Sequence, residues 1–310
     1  MRVTQNMMSQ QFLYDLTNLN TTMLNQENQI STGKTLNLPS DNPLGVSQDM
    51  QTSSLLAQSK LYTSTISQGL SWMQSTNSVM TEISQSLQSI QTDLLTALNT
   101  PNQSTEGLQA LSKSVDQYAQ QLYSLLNTQQ GDQYLFGGTS SNAPTTDSSS
   151  SSIGVTMVSS STAGISGSID YQVAQGVEIN INVTAFSIMS ATLTGGTSST
   201  ATLDSTLQQI TNDISSGSES NMNNDLQNIN AAMSNMTSIT ADLGARMQRM
   251  TALQTQMSQY TYVLNNQKGV IEDANMAQVI TQFNTDQVSY QAALKMGSQI
   301  LLPSLVSYLP

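Results

Sequence analysis

The chain has 310 residues, enough for two or three domains, and carries a net charge of −12 although charged residues make up only 9% of it. It contains neither Cys nor His, which excludes disulfides, thiolate nucleophiles, Cys or His metal sites and imidazole general bases. No cluster of Lys or Arg could follow a phosphate backbone, so no nucleic-acid partner is expected.

Gln, Asn, Ser and Thr take the polar positions that Lys and Glu usually fill. The opening MRVTQNMMSQQFLYDL lacks the apolar core of a cleaved secretory signal, and no stretch reaches the ~18 apolar residues of a membrane span. If the chain leaves the cell, the expected route is one that cleaves no signal, with no membrane insertion.

The first helix is expected on Leu13, Leu16, Met23 and Ile30, a stripe interrupted by Asn20 and Glu27. Pro39 and Pro43 interrupt helical geometry, and Asn42 followed by Pro43 suits an N-cap and first helical position. A long second helix follows, with Ile66, Met73, Met80, Leu87 and Leu94 at seven-residue spacing. Trp72 lies beside that seam and reads as a packed anchor. Thr100-Pro101 breaks this helix. A third helix carries Leu108, Leu111, Val115, Tyr118, Leu122 and Leu125, with Glu106 well signed for its N-terminal dipole. Gly131-Asp132 and Gly137-Gly138 are expected to end it.

Composition changes abruptly over residues 139–170, where 17 of 32 are Ser or Thr. Val177, Ile179, Ile181 and Val183 then alternate with Glu178, Asn180, Asn182 and Thr184, the pattern of a half-buried strand. Ile153, Val155 and Met157 suit a second strand and residues 168–173 a third. Residues 139–200 thus read as a small β-rich insert, with a disordered linker as the alternative that a Ser/Thr tract also favours.

Beyond the insert, an apolar residue returns every seventh position at Met222, Ile229, Met236, Leu243, Met250, Met257, Leu264 and Ile271. Seven heptads at the helical rise make a rod about 75 Å long. Glu272 and Asp273 are neighbours whose side chains point about 100° apart, so they read as a solvated helix face rather than a catalytic carboxylate pair. After Ala274 the only charges are Asp286 and Lys295, while Ile280, Phe283, Tyr290, Leu294, Leu301 and Leu302 recur at helical spacings.

The fold class expected is mainly α, a long antiparallel helical bundle formed by both chain ends with a small β-rich domain inserted in the middle. Its parts are terminal inner segments at 1–42 and 272–310, a bundle domain at 43–138 and 201–271, and the insert at 139–200. The seams of the bundle domain read as intrachain core. The terminal stripes read as subunit interface, and Leu13, Leu16, Met23, Ile30, Ile280, Phe283, Tyr290, Leu294, Leu301 and Leu302 are its candidate residues. A terminal helix with an uncovered apolar stripe is marginal in isolation, so both ends are expected to order fully only on assembly.

RVTQNMM, then QISTGKTLNLPSDNPLG, then GLSWMQSTNSVMTEISQSLQSIQTDLLTALN resemble the N-terminal half of the bacterial flagellin superfamily. LGARMQRM, IEDANMAQVITQF and YQAALKMGSQILLPSLVSYL follow its closing helix in order and spacing, and GDQYLFGGT and the SLVSYL ending resemble its hook-filament junction branch. The resemblance spans roughly 1–138 and 204–309. It implies an axial structural protein of the extracellular flagellum that joins hook to filament, exported unfolded by a type III route, with an export chaperone. It also implies a homo-oligomeric ring between a companion hook-associated junction protein and flagellin, with no cofactor and no enzymatic activity. The filament subunit itself and a secreted adhesin on a helical stalk are the alternatives.

Overall fold

The computed structural model describes residues 5–40, 42–99, 104–147, 153, 155–158, 164–189 and 202–300. In chain order the elements are α1 (Gln5–Thr32), α2 (Pro43–Asn99), α3 (Thr105–Leu126), β1 (Gln129–Gln130), β2 (Gln133–Tyr134), β3 (Thr145–Asp147), β4 (Val155–Met157), β5 (Asp170–Ala174), β6 (Val177–Asn180), α4 (Ala185–Met189), α5 (Leu203–Ser216), α6 (Glu219–Glu272) and α7 (Met276–Ile300). The architecture is mainly α with short strands confined to the middle of the chain, as the periodicities indicate.

The helix ends follow local chemistry. Asn42 accepts a hydrogen bond from the Gly45 amide at 3.0 Å, so α2 begins at Pro43. Ser104 caps α3 by accepting from the Gly107 amide at 3.3 Å, and Glu106 occupies the first turn. At α5, Thr202 and Ser205 form a reciprocal capping box, and Gly217 closes the helix in the left-handed conformation with φ 68°. Leu203, Leu207, Ile210 and Ile214 on α5 are all buried at helical spacing. None of the sequence rows predicts a helix over residues 203–216, although the Leu203, Leu207, Ile210 and Ile214 spacing and the stop at Gly217 carry the signal.

The described chain forms two compact units, Met1–Ser59 with Gln259–Pro310, and Lys60–Ser258. Helices α2 and α6 each contribute to both.

The second unit holds nearly all of the buried apolar side chains. Ile66, Met73, Met80, Leu87 and Leu94 on α2 are fully buried, as are Ile229 and Met250 on α6, with Met222, Met236 and Leu243 almost so. The expected seams are therefore core, each large side chain withdrawing apolar area worth about 1.5–3 kcal/mol from water. On α3 the buried row is Val115, Ala119, Leu122, Tyr123 and Leu126, while Leu108, Leu111, Tyr118 and Leu125 are only partly covered. Trp72 is buried in the same cluster.

Helix α3 ends at Leu126, earlier than the glycines suggest. Gly131 and Asp132 instead form the turn of the antiparallel β1–β2 pair. Two further antiparallel pairs, β3–β4 and β5–β6, complete the strands. Ile179, Ile181 and Val183 are buried as the alternation requires. Asn182, on the opposite phase, is buried too, because its side chain donates to Gly167 O at 2.9 Å and accepts from the Ile169 amide at 2.8 Å.

The insert is joined to the helices through one core. Ile153, Val173, Ile179, Ile181, Val183, Ile188 and Met189 belong to the same apolar cluster as α2, α3, α5 and α6. A side chain at Gly69 of α2 would overlap Met250, with Ile181 and Tyr171 close by, so helix, helix and strands meet there. Polar ties reinforce the join: Gln208 of α5 donates to Val155 O at 2.8 Å and to the Tyr123 hydroxyl at 3.1 Å. Tyr123 in turn donates to Asp204 at 2.7 Å, and burial with that carboxylate pushes its phenol well above the ordinary range. Arg246 of α6 bonds both Asp242 and Asn180 of β6. No helix among the described residues is long and apolar enough to cross a membrane.

Candidate functional site

The first unit is built differently. Helices α1 and α7 pack antiparallel, shown by successive contacts of Phe12 with Gly297, Gln26 with Asp286 and Lys34 with Asp273. Their shared seam is narrow. On α1 the less exposed positions are Phe12, Leu16, Leu19, Met23, Gln26 and Ile30, and on α7 they are Met276, Val279, Phe283, Asp286, Tyr290, Ala293 and Gly297. Both rows alternate steps of three and four, the spacing of a two-helix coiled-coil seam.

One polar pair sits within this seam. Gln26, itself buried, donates to Asp286 at 2.7 Å, and Gln282 donates to the other Asp286 oxygen at 3.4 Å. A polar pair at a core position costs stability, the more so as Gln26 Oε1 has no partner among the described residues, but the Gln26–Asp286 bond forms in one register only and so fixes how the two ends of the chain align. At the far end of the seam, a side chain on Gly297 would overlap the Phe12 ring, so the ring lies directly on helix backbone.

The other end is clipped. Gly33, at φ 72°, ends α1 in the left-handed conformation that a side chain disfavours. The chain then pairs with the α6–α7 junction: the Thr35 amide donates to Glu272 O at 2.7 Å, and the Ala274 amide donates to Gly33 O at 2.9 Å. The Lys34 ammonium bonds the Glu272 carboxylate directly, and Lys268 approaches the same carboxylate at 3.5 Å. Glu272 is only 8% exposed. The expectation of a solvated helix face at Glu272 is thus corrected: α6 stops there, and its last side chain turns inward to two lysines. Hydrogen bonding to Lys34 holds the Glu272 carboxyl below its ordinary range against the opposing effect of burial, and the same bond raises Lys34. A new helix begins where Asn275 accepts from the Gln278 amide at 3.3 Å.

The candidate interface residues divide on this frame. Leu16, Met23, Ile30, Phe283 and Tyr290 lie in the seam, half-covered by the partner helix of the same chain. Leu13, Ile280 and Leu294 lie outside it, at 50%, 43% and 48% exposure. Leu301 and Leu302 lie outside the described residues. Asn20 and Glu27, which interrupt the Leu13 row, point to solvent with it.

Exposure of large apolar side chains is concentrated in this unit. Of all those in the described residues, only Leu61 and Leu95 belong to the second unit. The first unit exposes Met7, Met8 and Leu24 on α1, Leu44, Met50 and Leu55 on α2, and Tyr262, Val263 and Val270 on α6, with Val270 at 88%. Its buried apolar side chains are Leu56 and Leu264 alone among the described residues. Sequence reasoning missed the α2 and α6 contributions because it treated both helices as core along their whole length.

The family of the bacterial flagellin N-terminal helical region matches residues 3–141, and that of the bacterial flagellin C-terminal helical region matches residues 226–309. No curated protein matches the chain in sequence. Among solved structures, the chain is similar to a protein assigned as a flagellar hook-associated protein of Vibrio parahaemolyticus, at 18% identity and a TM-score of 0.65, covering 75% of this chain and 99% of that one. It is similar to FlgL of Bacillus cereus at 19% identity and a TM-score of 0.56, covering 71% and 99% of the two chains. A third likeness is to flagellar hook associated protein-3 of Legionella pneumophila, at 14% identity and a TM-score of 0.59, covering 70% and 97%. At these identities the likeness is one of fold. The matches to both helical regions, at the two ends of the sequence and in the expected order, carry the assignment: the chain belongs to the bacterial flagellin family.

Proposed function

We propose that this protein is a structural adaptor of the bacterial flagellum that joins hook to filament, and that its terminal unit is the assembling part. The observation that carries this reading is the concentration of exposed apolar side chains on Met1–Ser59 with Gln259–Pro310, in a chain whose other unit buries its own. A filament family with one self-sufficient unit and one apolar unit lacking cover calls for neighbours along the axis. The junction position is supported by the relatives, whose printed descriptions are hook-associated protein and FlgL.

In this reading the chain leaves the cell without folding, with a chaperone covering its terminal segments, and assembles as a ring of copies. A companion hook-associated protein lies on the hook side and flagellin on the filament side. Leu13, Ile280 and Leu294 meet neighbouring copies, whereas Leu16, Met23, Ile30, Phe283 and Tyr290 align the two ends of one chain. The scaffold role requires no cofactor and no catalytic residue.

Deleting the gene in its host tests the reading. Hooks should form while flagellin escapes into the medium. Restoring the chain with Leu13, Ile280 and Leu294 all changed to Gln should leave the second unit folded and the flagellin loss uncorrected. Normal filaments without the gene would overturn the junction role. A copy number in the thousands per flagellum would place the chain in the filament instead.

A further inference from the structure

Sulfur is unevenly exposed along the chain. There is no cysteine, so the 17 methionines hold all of it. In the second unit Met73, Met80, Met189, Met222, Met236 and Met250 are buried, and Met157, Met233, Met247 and Met257 pack partly buried against the same core. In the first unit Met7, Met8, Met50 and Met296 are each 51–68% exposed. Among the described residues no methionine of the second unit is as open. Met23 and Met276 are half-covered in the α1–α7 seam.

Exposure sets which of these sulfurs a peroxide reaches. With hydrogen peroxide, the thioether lone pair attacks one oxygen, and an S–O bond forms as the O–O bond breaks. The departing hydroxide takes the proton of the transferred oxygen and leaves as water. Sulfur loses two electrons and the peroxide gains them, so no other reactant is needed. The product is a sulfoxide, a polar and chiral group with a hydrogen-bond acceptor where a flexible apolar end stood. On an open face the new oxygen stays in water and the fold tolerates it. Under a neighbouring chain it must give up that water, which is costly unless a donor replaces it.

We propose that Met7, Met8, Met50 and Met296 are oxidation sites through which peroxide removes the assembling capacity of the first unit while the second unit stays folded. The loss of assembly rests on the reading of the terminal unit as the joining part; the choice of sulfurs rests on exposure alone. The four lie on α1, α2 and α7, so modification reaches three of the helices that present exposed apolar side chains. Once neighbours cover them the same sulfurs are shielded, so the free chain is the vulnerable form. Methionine sulfoxide reductases, one for each sulfur epimer, reverse the change.

The test treats the full chain with hydrogen peroxide and maps sulfoxides against time by peptide mass spectrometry. The four methionines should convert at least about tenfold faster than the six buried ones. The fluorescence of Trp72, the only tryptophan and buried in the second unit, should stay unchanged. Hooks purified from the gene-deleted host are then offered treated or untreated chain. Untreated chain should bind, and treated chain should bind at least about tenfold less, recovering after incubation with both reductases and dithiothreitol. A variant carrying Met7→Leu, Met8→Leu, Met50→Leu and Met296→Leu, compared with itself before and after peroxide, should lose less than about twofold. If that variant does not fold, the reductase arm decides. Equal conversion of open and buried methionines would overturn the choice of sites. Treated chain that binds as well as untreated, a loss the reductases do not restore, or a Leu variant that stays fully sensitive would overturn the proposal and leave the adaptor reading standing. Untreated chain that fails to bind hooks would overturn the adaptor reading and the loss of assembly with it, while the peptide map still decides which sulfurs react.

Discussion

Helices α2 and α6 run through both units, and along one of these helices the same sequence style has opposite fates. On α2, Ile66, Met73, Met80, Leu87 and Leu94 are buried to the last atom, while Leu44 and Met50, a few turns earlier, are more than two-thirds exposed. On α6, Met222 and Met236 are buried, while Val263 and Val270 face outward. Periodicity is alike in the two regions. The difference is cover: α3, α5 and the insert close over the second unit, whereas the first unit has the narrow α1–α7 seam and the start of α2 beside the end of α6. A two-helix seam buries too little to hide every apolar row, so the remaining rows stay exposed. The charged chemistry differs in the same sense. The first unit is clipped by a satisfied ion pair, and the second buries the Asp225 carboxyl with no lysine or arginine among residues 203–244.

The sharpest way to break this comparison is truncation. Leu87→Ala should lower stability by about 2–5 kcal/mol, since the side chain is fully buried and its cavity has little room to collapse. Leu294→Ala should change the monomer by less than about 0.5 kcal/mol. Urea unfolding of the two variants measures both, and equal losses would erase the distinction between the units.

The buried Asp225 carboxyl gives the next effect. Burial first, and Asp213 second, push the Asp225 carboxyl from 3.8 up to about 7. A group whose folded value is raised stabilises the fold fully at pH below 3.8 and loses that contribution as pH rises through about 7. Asp225→Asn should therefore raise stability on the order of 2 kcal/mol at pH 8 and leave it almost unchanged near the acid end. Thermal melts across that window would show the sign.

Within the first unit, Gln26→Ala strips Asp286 of its seam partner. Loss of a hydrogen bond to a charged group costs about 1.5–3 kcal/mol where burial is complete and less here, because Asp286 retains Gln282. Amide exchange in α1 should quicken while the second unit stays protected.

The clip should give the smallest change, and one of opposite sign to that of Asp225. Glu272 is depressed, so its contribution is present above its ordinary value of 4.5 and is lost as pH falls through the lower folded value. Lys34 is raised, so its share persists to 10.5 and fades above it. Glu272→Gln should flatten this plateau when exchange of the Thr35 and Ala274 amides is followed against pH, and added salt should mimic part of the loss.

Deleting the insert would not separate the adaptor from an adhesin. Its side chains close the core of the second unit, so removal of residues 139–200 would expose α2 and α6 and destroy the scaffold along with any binding face.

The sequence by itself determined the long helices, the breaks at Pro43 and Pro101 and the heptad rows, but not α5 or the end of α3. Proline, asparagine and serine caps act within a few residues, and a seven-residue period is a property of one helix read alone. It also determined the family, through ordered motifs at both ends. Only the tertiary structure decided which row of α1 turns inward. The Leu13 and Leu16 rows lie about 60° apart around the helix, and only the position of α7 selects the second. The same holds for Glu272, whose inward turn depends on Lys34, some 240 residues away in sequence. It holds equally for Gln26, polar on paper and buried because Asp286 stands opposite. Local chemistry sets where a helix begins and ends; which of its faces becomes interior depends on which partner covers it, and that information is not local.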